Sequence, residues 1–166
     1  MNKTIRDLAI IASVALVARR FLGISKVSGN SMFPELHDGD ELLLDKTSYL
    51  TKDPARGEVV IFQKQTGDRK MLVKRVIGLP GDRVVIKDGV VTVNETALSG
   101  DYTMDGVTPG DVDVTVPEGQ FFVLGDNREN SLDSRSDEVG CVPKEALVGK
   151  AAFRLYPPGR VFTRSE

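Results

Sequence analysis

Apolar positions along this chain fall into two patterns. Leu8 to Ala18 (LAIIASVALVA) is an uncharged run of 11 residues, broken by Arg19 and Arg20 and resumed by Phe21-Leu22-Gly23-Ile24. Beyond Ile24 the apolar runs shorten and recur about every ten residues between turn formers, the rhythm of strands in an all-β sandwich or barrel-like fold. Glu41-Leu42-Leu43-Leu44, Val59 to Phe62, Leu72 to Ile77, Val84 to Ile86, Val90 to Val93, Gln120 to Leu124 and Val148 to Leu155 are the predicted strands. Asp88-Gly89 supplies the positive-φ pair of a tight hairpin, and Pro80-Gly81 suits a type II turn. A short helical turn is predicted near Pro143 to Leu147, with proline at its first position. The fold class read from this pattern is mainly β, a sandwich or barrel-like body after an N-terminal helix.

The first run sets the organisation. Eleven helical residues reach roughly 16 Å, short of a bilayer core, and counting through Ile24 gives roughly 25 Å, which is borderline. A membrane anchor is the favoured reading. A cleaved signal peptide fits less well, because no small-x-small site separates the run from the charges, and a soluble amphipathic helix is the third reading. Lys3 and Arg6 precede the run while Arg19, Arg20 and Lys26 follow it, so charge alone does not orient it. The expected division is residues 1–25 as anchor and 26–166 as one β domain. Residues 99–119, acidic and rich in Gly, Asp and Thr, are expected to form a loop or mobile insertion.

Composition narrows the classes. The 166 residues are 40% apolar and 28% charged, which is globular. Net charge is −2 with no basic stripe interleaved with aromatics, which argues against nucleic-acid binding. One cysteine, Cys141, and one histidine, His37, leave no internal disulfide and no plausible zinc site. No metal or cofactor is expected.

Three segments carry candidate chemistry. Ser31, in Val27-Ser28-Gly29-Asn30-Ser31-Met32-Phe33-Pro34, follows a pair tolerant of positive φ; it is either a nucleophile displayed on a tight turn or an ordinary loop serine. Lys74 and Arg75 interrupt the apolar run Leu72-Val73-Lys74-Arg75-Val76-Ile77. Strand alternation puts them on opposite faces, so one of the two is expected to lose its water. Desolvation lowers a lysine pKa, and bringing it from roughly 10.4 to roughly 8 costs about 3 kcal/mol. An edge lysine in solvent is the plainer alternative. The third segment, Gly125 to Arg135 (GDNRENSLDSR), follows the strand Phe121 to Leu124. It is either a solvated loop or a polar network of mutually satisfied Asp and Arg. The chain lacks Gly-x-Ser-x-Gly, Ser-x-x-Lys, a Walker loop and His-Glu-x-x-His. His37 reads as a loop residue in the turn His37-Asp38-Gly39-Asp40.

Taken in order, these segments resemble bacterial type I signal peptidases in their minimal, Gram-positive-like form. The resemblance rests on the short N-terminal anchor, Ser31-Met32-x-Pro34, Gly57 to Phe62, Val73-Lys74-Arg75-Val76-Ile77-Gly78-Leu79-Pro80-Gly81-Asp82, and Gly125-Asp126-Asn127-Arg128-x-Asn130-Ser131-x-Asp133-Ser134-Arg135. It implies an antiparallel β fold and a Ser-Lys dyad, with Ser31 as nucleophile and Lys74 as general base. Ser131 falls on a serine that hydrogen-bonds the base. Asp133 and Arg135 fall on a supporting ion pair, with Asp126, Arg128 and Arg75 close by. Met32, Leu36 and Val73 match positions near pockets for small substrate side chains. The oxyanion would be held by the Ser31 backbone N–H. Gly29 stands where some members carry a serine donor, which leaves the second donor unnamed.

The implied activity is removal of signal peptides from exported preproteins, at the cell membrane, by a single-pass enzyme with its catalytic domain on the extracytoplasmic side. Secretory preproteins and membrane lipid are the implied partners. The runner-up is a soluble self-cleaving protease of the repressor type, for which residues 1–26 are too short to hold a DNA-binding domain. A third reading, a membrane-anchored binding module without catalysis, requires Ser31 and Lys74 to lie well beyond about 4 Å from one another.

Overall fold

The computed structural model describes residues 3–98 and 107–162. A helix, α1 (Lys3–Phe21), leads directly into β1 (Leu22–Lys26), which pairs antiparallel with β2 (Glu41–Asp45). The apolar run counted to Ile24 is therefore not all helix. Its last residues are a strand of the β body, so the boundary falls at Phe21 rather than at residue 25. Among the described residues, no helix is long and apolar enough to cross a membrane. Ile5, Leu8, Ile10 and Ile11 on α1 are exposed.

After β2 come a single-turn helix α2 (Ser48–Thr51), β3 (Val59–Gln63), β4 (Met71–Gly78), β5 (Arg83–Lys87), β6 (Val90–Val93), β7 (Thr96–Ala97), β8 (Val112–Thr115), β9 (Gln120–Leu124), β10 (Val142–Pro143), β11 (Leu147–Tyr156) and β12 (Gly159–Arg160). The larger sheet runs β1-β2-β11-β3-β4-β9-β10, with β12 beside β11, and the smaller runs β7-β6-β5-β8. All pairings among the described residues are antiparallel.

Every predicted strand is present within a residue or two. Asp88 (φ 52) and Gly89 (φ 81) turn the β5–β6 hairpin, and Gly81 (φ 83) sits where the type II turn needs it. The turn at Lys144–Ala146 is 3-10 and follows Pro143. Two expectations change. Residues 107–119 are not all loop, because Val112–Thr115 pairs with β5; residues 99–106 lie outside the described residues. The helix α2 was not anticipated. Its Tyr49 is buried, and the Tyr49 hydroxyl hydrogen-bonds Glu58 at 2.9 Å.

Among the described residues the core forms three clusters. One gathers Val27, Met32, Leu36, Leu42, Leu44, Val59, Ile61 and Ala151 beneath the loop that carries Ser31. A second packs β3, β4 and β9 against Tyr49 and Ala146. The third joins the sheets, with Ile77, Phe122 and Leu124 of the larger meeting Val84, Ile86, Val91 and Val93 of the smaller. Each fully buried Leu, Ile or Phe contributes on the order of 1.5–3 kcal/mol. The larger sheet thereby becomes a stiff frame for the polar residues on β4 and beyond β9.

Candidate active site

Ser31 lies in the loop between β1 and β2, and the loop is fastened at both levels. Val27 N–H donates to the Asp40 carbonyl at 2.8 Å, and Gly39 N–H donates to Val27 at 3.0 Å, closing its base. Near its tip, Gly29 N–H donates to Asp38 Oδ1 at 2.7 Å, and Asp38 N–H donates to Asn30 Oδ1 at 3.3 Å. Met32 and Leu36 are wholly buried, so the residue after Ser31 anchors the loop in the core while Ser31 stays half-exposed. Asn127 reaches across from the polar segment: its N–H donates to the Ser31 carbonyl and its Nδ2 to the Asn30 carbonyl, each at 3.1 Å.

Lys74 comes from the middle of β4. Its Nζ donates to Ser31 Oγ at 2.7 Å and to the Val73 carbonyl at 2.7 Å. The residue is 2% exposed, and among the described residues it forms no ion pair. Burial pushes the amine down to about 8, against a smaller upward pull from Asp133 and Asp126. A neutral amine next to a hydroxyl can accept its proton. The separation of 2.7 Å is not the distant placement that a non-catalytic module requires.

Arg75, on the opposite face of β4, is also desolvated, at 0% exposure. The expectation that only one of the two cations would be buried is thus corrected. Arg75 survives burial through partners that Lys74 lacks. Nε and Nη2 grip Asp126 at 2.8 and 2.6 Å, while Nη1 donates to the carbonyls of Gly57 (2.8 Å) and Phe162 (2.9 Å). Glu35 stands 3.9 Å from Nη2 and accepts from the Phe162 N–H at 2.9 Å.

The polar segment is an ordered network. Asp133 is buried and bound by Arg135 at 2.8 and 2.9 Å, and it accepts from Gly125 N–H at 3.0 Å. Arg135 also donates to the carbonyls of Arg128 (2.6 Å) and Pro109 (3.0 Å). Arg128, buried, donates to the Gly125 carbonyl (2.8 Å) and to Thr108 Oγ1 (2.5 Å). Burial lowers its pKa to about 10, which leaves it a cation at neutral pH. Gly125 is where this network meets the Ser31 loop. A methyl there would collide with the Ser31 carbonyl and with the Ser131 hydroxyl, so only glycine fits.

Two expectations fail at this level of detail. The Ser131 hydroxyl is buried without any hydrogen-bond partner, so it does not bind the Lys74 amine; the Val73 carbonyl is the amine's second contact instead. Met32 and Leu36 do not line the cleft but lie in the core beneath it. The cleft, of about 90 Å³, is lined by Val73 with Ser25, Ser28, Ile61, Met71 and both Ser31 and Lys74. Sequence reading missed Asn127, Asp38 and the Gly125 contact. Asn127 sits in the conspicuous Gly-Asp-Asn-Arg run and was within reach; the other two depend on long-range packing. His37 is exposed, its ring meets the Phe33 ring edge-on with 5.0 Å between centroids, and its backbone N–H donates to Asp40 Oδ2 at 2.9 Å.

The Ser31 N–H donates to no acceptor among the described residues, as an oxyanion donor should. Gly29 has no side chain to add, and its N–H is committed to Asp38.

The sequence model of the family described as signal peptidase, peptidase S26, matches residues 1–156. Similar chains include signal peptidase I of Bacillus licheniformis, 39% identical over 92% of this chain and 87% of that one. Signal peptidase I U of Bacillus subtilis is 36% identical over 96% and 90%. Probable signal peptidase I-2 of Synechocystis is 38% identical over 92% and 71%. Among solved structures, a signal peptidase I from Enterococcus faecalis aligns with a TM-score of 0.50 at 33% identity, covering 60% of this chain and 97% of that one.

Proposed function

The chain belongs to the signal peptidase family, peptidase S26, and we propose that this serine endopeptidase removes signal peptides from secretory preproteins with Ser31 as nucleophile and Lys74 as general base. The observation that carries the reading is the 2.7 Å contact between Lys74 Nζ and Ser31 Oγ at a lysine kept from water and from carboxylate partners.

The neutral amine takes the Ser31 proton as Oγ adds to the scissile carbonyl. The developing oxyanion receives the Ser31 N–H. The Lys74 ammonium then hands its proton to the departing amine, which releases the mature chain and leaves an acyl group on Ser31. Neutral again, Lys74 draws a proton from water as the hydroxide formed adds to the acyl carbon, then returns that proton to Oγ as the signal peptide leaves with a new carboxyl terminus. Arg75–Asp126 and Arg135–Asp133 hold β4 and the Ser31 loop in mutual position, and Arg128 ties the polar segment together. None of the three arginines reaches the scissile bond in this scheme.

Substrate entry follows from unsatisfied strand edges. β1 pairs only with β2 among the described residues. β4 pairs with β3 along Met71–Arg75, but β9 joins its other side only from Arg75 onward. An extended peptide laid between β1 and Met71–Lys74 would hydrogen-bond both edges, with its small side chains against Val73 and Ile61.

Membrane attachment through α1, with the catalytic domain on the extracytoplasmic side, is part of the same proposal. The uncharged run of α1 is shorter than a bilayer core, and its exposed Ile5, Leu8, Ile10 and Ile11 are suited to burial in lipid.

The test is cleavage of a preprotein by wild type, Ser31→Ala and Lys74→Ala. Each variant is expected to lose at least about 10³-fold in rate while keeping its fold. Cleavage retained by either one overturns the dyad.

A further inference from the structure

Phe162, just beyond β12, is placed by its backbone. Its side chain is 62% exposed, so the ring is not what fixes it. Val161 before it packs against the core cluster beneath the Ser31 loop and delivers the next peptide group. There the Phe162 N–H donates to Glu35 Oε1 and its carbonyl accepts from Arg75 Nη1, each at 2.9 Å. Glu35 Oε2 approaches Arg75 Nη2 directly at 3.9 Å, which is beyond hydrogen-bond length. Phe162 therefore supplies the hydrogen bonds that this approach lacks.

Both partners stand next to the chemistry. Glu35 follows Ser31 in the same loop, and Arg75 directly follows Lys74 on β4. The Glu35 side chain is 5% exposed and that of Arg75 0%, so neither can exchange its partner for water in place. Arg154 of β11 holds the Glu35 backbone as well, donating to its carbonyl at 3.4 Å and to Asp40 Oδ2 at 3.3 Å. Asn127 fixes the Ser31 carbonyl on one flank of the nucleophile, and Glu35 is the tie on the other.

We propose that Phe162 is a positioning residue: its N–H and carbonyl bridge Glu35 of the Ser31 loop to Arg75 of β4, and so hold the Ser31 hydroxyl within reach of Lys74, a role that rests on the peptidase reading above. Without the bridge, the buried Glu35 carboxylate is left to compete with Asp126 for Arg75. The loop and β4 then lose their mutual setting. A misplacement of about 1 Å between reacting groups can cost up to about 10²-fold in rate.

The test uses the full chain in neutral detergent micelles with a preprotein substrate. Phe162→Pro deletes the N–H, Glu35→Ala deletes its acceptor, and a third variant carries both changes. Rates are taken below each variant's unfolding transition and divided by the folded fraction from circular dichroism, which removes a merely structural loss. Each single variant is expected to lose about tenfold in kcat with KM within about twofold. The double variant is expected to lose no more than either single one, because both remove the same link. A chain ended after Thr163 keeps the link and is expected to lose less than about twofold. Phe162→Ala keeps both backbone groups and is expected to lose less than Phe162→Pro.

Wild-type kcat in both single variants overturns the bridge and leaves the peptidase reading standing. So do losses that multiply in the double variant, or a raised KM with kcat unchanged. Equal losses in Phe162→Ala and Phe162→Pro assign the role to the ring and also overturn it. If Phe162→Pro does not fold, a chain ended after Val161 takes its place in the cycle, and an unchanged kcat in Glu35→Ala by itself overturns the bridge. Failure of wild type to cleave the preprotein sinks the peptidase reading and the bridge with it.

Discussion

Lys74 and Arg75 are neighbours in sequence, both cationic in water, and almost equally buried at 2% and 0% exposure. Their fates are opposite. Arg75 faces a carboxylate that grips it at two points, with two backbone carbonyls to complete its coordination. Lys74 faces a hydroxyl and one carbonyl, with Asp133 and Asp126 felt only at a distance. Burial alone therefore does not make a reactive lysine. What does is burial on the face of β4 from which counter-charges are withheld. Asp126 and Asp133 are each taken up by an arginine, so they hold the frame while adding only a smaller upward pull on the amine.

Replacing Lys74 with Met should break this contrast most sharply, since it trades function against stability. Preprotein cleavage is expected to fall at least about 10³-fold, while unfolding at pH 7 becomes harder by up to about 3 kcal/mol, because a desolvated amine has been removed. Urea titration beside the cleavage assay reads both, and a less stable variant would count against the strain. Arg75→Ala attacks the other face. It leaves Asp126 buried and unpaired, for an expected loss of about 3–5 kcal/mol. A loss under about 1 kcal/mol would mean that water replaces the guanidinium.

The titration of Lys74 sharpens the same comparison. With its pKa lowered from 10.5 to about 8, the amine is protonated in both folded and unfolded chains below that lower value. Between about 8 and 10.5 only the unfolded chain holds the proton, so stability from this group rises with pH across that window, by up to about 3 kcal/mol. The cleavage rate should climb with pH to a plateau above about 8. Lys74→Met should lose this stability rise, and a wild-type rate flat from about pH 6 to 10 would contradict a titrating base. The smallest effect is expected at Ser131→Ala. Its hydroxyl is buried without a partner, so removing it should leave stability unchanged or raise it by up to about 1 kcal/mol. A marked loss of activity there would show that substrate binding turns the hydroxyl toward Lys74.

Legibility in the sequence followed the range of the interactions. β4 could be read because an apolar run with two cations is a local anomaly, and the Gly125–Arg135 segment because its Asp and Arg crowd together just after a strand. β1 could not, since Leu22-Gly23-Ile24-Ser25-Lys26 looks like the tail of the preceding apolar run until β2 pairs with it. β8 was hidden in the same way: Val112-Asp113-Val114-Thr115 alternates properly but sits among acidic and glycine residues, and its partner β5 lies far back in the chain. The Ser131 role was carried over from a family pattern. That hydroxyl packs against Gly125, where a methyl would collide with it, and no spacing rule reveals such a contact.

The coordination of Arg75 also imposes an order in time. A chain is made from its N-terminus, so Arg75 exists 51 residues before Asp126 and 87 residues before Phe162, two of the groups that hold its guanidinium. Leaving that charge buried without its carboxylate costs several kcal/mol, so β4 has no settled place until Asp126 has been synthesised. Lys74 is one residue away and waits with it. The dyad proposed above can therefore settle only once the chain has grown past Asp126.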